Sequence, residues 1–188
     1  MKKTFTSLAA LSSLALLSSP ALAHTGHETA SFSAGLTHPV TGFDHLIMLV
    51  AFGILVACVQ TSTVRKTGLV ISALVSMLVG LAAGQWFGGF NGVELAIGSS
   101  LFVVSGAIWQ AFHASKDMLR LALTLCVGLV FFHGYAHGVE AQGAISAFAA
   151  GMMLGATALM VLGLQFGRSL SSPWLSVGVA SVSALVIM

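Results

Sequence analysis

Residues 67–87 read TGLVISALVSMLVGLAAGQWF, a run with no charged side chain anywhere along it. As an α-helix rising about 1.5 Å per residue, such a run spans about 30 Å, the hydrocarbon thickness of a bilayer. Comparable apolar stretches fall at about 42–60, 92–112, 118–137, 142–165 and 172–188, separated by short connections. The expected fold class is therefore all-α: a polytopic membrane protein forming a compact bundle of six transmembrane helices. Composition agrees. The chain is 57% hydrophobic and 6% charged, against roughly 25% charged residues in a soluble domain. Seven Lys and Arg and five Asp and Glu are too few to cover a water-facing surface, which argues against a soluble enzyme. Disorder would need low hydrophobicity. A net charge of +2 with scattered basic residues gives nucleic acid no footprint.

Residues 1–23 read as a cleaved signal peptide. Lys2 and Lys3 form a basic start, Thr4 to Leu17 an apolar stretch, and Ala21-Leu22-Ala23 a small-residue cleavage site. An uncleaved first helix is the alternative. Cleavage leaves residues 24–41 as a periplasmic, His-containing arm before a transmembrane domain over 42–188. After the signal the basic residues are Arg65, Lys66, Lys116, Arg120 and Arg168. They follow the first, third and fifth spans, and the connections after the second and fourth carry none. The positive-inside rule then puts the mature N-terminus in the periplasm of a bacterial inner (cytoplasmic) membrane.

Gly80-x3-Gly84-x3-Gly88, Gly151-x3-Gly155 and Gly163-x3-Gly167 have the spacing of close helix contacts in lipid. Cys58 and Cys126 lie in apolar runs and read as small packing residues, and the dispersed Met residues read as core.

The remaining polar groups carry the chemistry. His38-Pro39-Val40-Thr41-Gly42-Phe43-Asp44-His45 opens the first span. Pro39 favours an extended or turned His38, so the helix is expected to begin near Thr41, with Asp44 about one turn inside. Thr41-x-x-Asp44 also matches a capping box, which accounts for neither flanking His. His133-Gly134-Tyr135-Ala136-His137-Gly138-Val139-Glu140 closes the fourth span. His133 and His137 are i, i+4 and share a helix face, which Glu140 continues if the helix persists. By depth along their helices the two constellations can meet. An Asp at membrane depth costs roughly 2.5–3.5 kcal/mol on insertion scales, so it needs a partner or a task. Imidazoles with a carboxylate suit a divalent transition metal. His24 and His27, at the start of the mature chain, form a second candidate group for metal capture, or a plain polar tail. Glu94 suits a helix N-terminus or a vestibule. His113 and Asp117 alone fall on the inner side.

At these two motifs the sequence resembles the HupE/UreJ family of nickel and cobalt permeases. That pattern has H-P-x-x-G-x-D-H at its first helix, similar to His38–His45, and a later H-G-x-A-H-G-x-E, similar to His133–Glu140. The resemblance implies uptake of Ni²⁺ or Co²⁺, with His38, Asp44, His45, His133 and His137 as functional residues and Glu140 as a further candidate. Ala156 to Gly163, in the fifth span, lacks a His that many members carry there. The expected function is a permease and not an enzyme, with the bilayer and a divalent ion as its partners, no prosthetic group, and no protein partner that can be inferred. The competing readings are a haem-binding electron carrier with two axial His and an intramembrane metal-dependent hydrolase, which would lack an H-E-x-x-H signature. Ligand types do not rank Ni against Co, Cu or Zn.

Overall fold

In a computed structural model, the structure describes residues 31–140 and 145–188; the signal segment, His24 and His27 lie outside them. The described residues are helical throughout, with α1 (Phe32–Thr41), α2 (Phe43–Cys58), α3 (Thr63–Phe87), α4 (Val93–His113), α5 (Lys116–Glu140), α6 (Ile145–Leu170) and α7 (Leu175–Ile187). Four of them, α3 to α6, are long and apolar enough to cross a membrane. The bent pair α1–α2 passes the same test only with its two helices taken together, as a broken span or a re-entrant loop, and α7 is shorter.

The surface is apolar because its solvent is lipid. Val64, Trp86, Phe87, Leu95 and Leu185 all point outward, an arrangement that only a bilayer makes favourable. The centre is α2, buried on nearly every side from His45 through Cys58. It lies against α6, α4 and α7.

Lipid supplies no hydrophobic drive between helices, so close packing must hold them together. Glycines do this at two seams. On α3, a methyl at Gly80 or Gly84 would land on the Phe131 or Tyr135 carbonyl oxygen of α5. Reciprocally, a methyl at Gly134 or Gly138 of α5 would meet the Met77 or Leu81 carbonyl. The second seam joins α6 to the bent pair: Gly151 meets Phe32, Gly163 meets Val50, Gly35 meets Phe148 and Gly53 meets Met160. The glycine spacings read from the sequence thus mark helix contacts except at Gly88, which caps α3 at φ 70° with open space beside it. Cys58 and Cys126 are free and buried, as expected of packing residues.

The N-terminal constellation differs from its sequence expectation. Residues 32–41, assigned to an arm, form a helix, and both His38 and Pro39 lie inside it. Proline disfavours a helical residue before it but does not forbid one. Here α1 lies along α6 at Gly35, Gly151 and Gly155, and that packing outweighs the local preference. The break comes three residues after Pro39, at Gly42, whose backbone is extended (φ −82°, ψ 105°). Across it α1 and α2 meet at 79°. The capping box does not form. Gly42 occupies the N-cap of α2 with no side-chain cap bond, and Thr41 Oγ1 donates to the His38 carbonyl at 3.1 Å.

Candidate metal centre

Three helix ends deliver the side chains. The last turn of α1 brings His38, the first turn of α2 brings Asp44 and His45, and the end of α5 brings His133 and His137. The bend at Gly42 makes this convergence possible, because a straight helix would carry His38 away from His45. The carbonyl ends of α1 and α5 bear partial negative charge, which favours a cation between them.

His45 is the hub. Its Nδ1 lies 2.9 Å from Asp44 Oδ1. A carboxylate accepts only, so Nδ1 carries the proton, while Nε2 can present its lone pair or donate. That Nε2 lies 2.7 Å from His137 Nε2 and 3.3 Å from the His133 carbonyl oxygen. His38 stacks edge-on against His137 at 4.2 Å between ring centroids, and His45 meets His133 in the same manner at 4.7 Å. His45, His133 and His137 are almost completely buried, at 1%, 1% and 3% exposure. The Asp44 side chain keeps 17% of its surface open. Phe148 closes one wall, 5.9 Å from the His137 ring.

Two triads can each offer an ion three ligand atoms lying within 4.8 Å of one another: His38, His45 and His137, and Asp44, His45 and His133. They share His45. The arrangement Asp44–His45 is the carboxylate–imidazole pair that orients metal-binding histidines elsewhere and makes them more basic. The structure therefore gathers five of the sequence candidates. Glu140 ends α5 on the exposed surface, outside both triads. His113 is distant from them, stacked on Trp109 at 4.4 Å. Asp117 pairs with Arg120 at 3.1 Å. Glu94 sits exposed in the first turn of α4, where the helix dipole favours an acid.

Sequence reasoning did not single out Ser100. It is fully buried on α4, and its Oγ lies 2.9 Å from His133 Nε2. It is seven residues from the start of α4, as His133 is from the end of α5. That equal depth on antiparallel neighbours was a usable signal. Gly42 also belongs to the site: a methyl there would stand 3.2 Å from Asp44 Oδ1 and 3.3 Å from His45 Nδ1.

An apolar helix bundle that buries imidazoles and a carboxylate at mutual ligand distance is a polytopic membrane protein with a site suited to a transition-metal ion. The HupE / UreJ protein family matches residues 12–187. Protein HupE of Rhizobium leguminosarum bv. viciae is 30% identical over 176 residues, covering 89% of this chain and 86% of that protein. The chain belongs to the HupE/UreJ family. No solved structure matches it.

Proposed function

We propose that the protein is an inner-membrane permease that takes up Ni²⁺ or Co²⁺ from the periplasm through the His/Asp cluster. The observation that carries this reading is the pair of triads sharing His45 inside the apolar bundle. Membership of a family of transporters associated with nickel and cobalt supports it. In this reading the chain crosses six times, with α1–α2 as one broken span and α7 as a short last one, and both mature ends face the periplasm. His24 and His27 collect the ion outside.

The ion sheds water for the imidazoles of His38, His45 and His137, then exchanges toward Asp44, His45 and His133, where it displaces the proton that His45 Nδ1 shares with Asp44 and that proton passes to the Nε2 the ion leaves. His133 lies one turn, about 6 Å along α5, from His137. His45 is held through the exchange, so the ion is never without a protein ligand. At metal–nitrogen distances of about 2.0–2.1 Å, adjacent ligand nitrogens stand roughly 3 Å apart. The 2.7 Å between His45 and His137 thus opens slightly as the ion replaces the proton between them. A negative-inside potential favours entry of a dication by about 4.6 kcal/mol per 100 mV. The same 2.7 Å argues against a haem carrier, since two axial imidazoles need roughly 4 Å between their nitrogens, two metal–ligand bonds.

The test is uptake of Ni²⁺ and Co²⁺ into proteoliposomes with an imposed negative-inside potential. Saturable uptake that is lost in Asp44→Asn, His45→Ala and His133→Ala supports the reading. Unchanged uptake in all three variants overturns it.

A further inference from the structure

Ser100 lies on α4, outside both triads, yet it governs a ligand atom. Its hydroxyl has one proton. The Ile97 carbonyl, 2.6 Å from Ser100 Oγ, can only accept, so that proton points to Ile97. Toward His133 Nε2, 2.9 Å away, Ser100 Oγ is then the acceptor and His133 Nε2–H the donor. A neutral imidazole protonated on Nε2 has its lone pair on Nδ1. His133 Nδ1 is buried and has no hydrogen-bond partner among the described residues, as befits a nitrogen reserved for a ligand. His45 shows the opposite arrangement, with Nδ1 held by Asp44.

We infer that Ser100 is a positioning residue: it fixes the Nε2–H tautomer of His133, so that His133 joins the Asp44–His45–His133 triad through Nδ1. Nδ1 is the nitrogen nearer the backbone, so this choice draws the ion toward α5. The two histidines present their lone pairs in opposite tautomers, each set by its own partner, Ser100 on α4 and Asp44 on α2. Removing the Ser100 hydroxyl frees His133 to take the other tautomer and to turn its N–H toward the ion. The inference rests on reading the cluster as a metal site, and its two halves are tested separately.

The full chain, ¹⁵N-histidine labelled and metal-free in nanodiscs, is examined by NMR. The His133 signals are those lost in His133→Gln. In the unaltered protein His133 is expected as the Nε2–H tautomer. Ser100→Ala is expected to release it into a mixture, and Ser100→Thr, which keeps the hydroxyl, to hold it. Titration with Ni²⁺ and Co²⁺ is expected to show about 10- to 100-fold weaker binding in Ser100→Ala. An Nδ1–H tautomer in the unaltered protein overturns the inference. So does a Ser100→Ala protein that keeps either the original tautomer or the original affinity. If Ser100→Ala does not fold, the unaltered protein and Ser100→Thr decide by their tautomers. Failure of the unaltered protein to bind either metal counts against the metal reading and leaves the tautomer result to stand by itself.

Discussion

His45 is the one side chain common to both triads, and the order of mutational effects should follow from that. His45→Ala removes a ligand from each triad and should lower Ni²⁺ or Co²⁺ affinity more than His137→Ala or His133→Ala, which each disable one. Equilibrium dialysis against the metal checks this ranking. Asp44→Asn keeps the shape and an acceptor for His45 Nδ1 but loses the charge. We expect binding weakened by about 10- to 100-fold, the usual cost of losing the partner that orients a metal-binding histidine. Gly42→Ala tests geometry alone. Its backbone suits any residue, but the methyl would crowd Asp44 Oδ1 and His45 Nδ1. A severalfold loss of affinity with an unchanged unfolding temperature is expected.

Among the elements, the α3–α5 seam should be sensitive to added volume. Gly134→Ala drives a methyl onto the Met77 carbonyl, and parting two close-packed backbones costs about 1–3 kcal/mol. Gly68→Ala on α3 meets nothing within 4 Å and gains helix propensity, so it should be neutral or stabilising by up to about 1 kcal/mol. Thermal unfolding in detergent separates the two. The long helices were legible in the sequence because lipid demands an unbroken apolar run of fixed length. Expected and observed limits for α3 both end at residue 87, and those for α4 differ by one residue at each end. Gly80, Gly84, Gly151 and Gly163 were legible by their four-residue spacing, whereas Gly35 and Gly53 on the facing helices were not. The bend was not. His38-Pro39 carries a local preference for extended backbone, which the contact of α1 with α6 overrides. Ser100 was hidden for another reason. A Ser in an apolar helix commonly bonds back to its own helix, as Ser183 Oγ does to the Val179 carbonyl. Besides its depth opposite His133, the tertiary neighbour distinguishes Ser100 from such residues.

Among the described residues, many large apolar side chains are exposed, and the buried histidines gather at one polar cluster inside the bundle. That division fits a protein whose task is to let a hydrated ion into an apolar bundle. Metal competes with protons for neutral imidazoles and an ionised carboxylate. Binding should therefore weaken as the medium is acidified; metal titrations at a series of pH values check this. The central claim is that side chains from α1, α2 and α5 hold one ion together. X-ray absorption at the nickel or cobalt edge of the loaded protein tests it most directly. We expect a first shell containing at least two imidazole nitrogens at about 2.0–2.1 Å, with the imidazole scattering reduced in both His137→Ala and His45→Ala. A shell of oxygen atoms alone, the same in the unaltered protein and in His45→Ala, would contradict it.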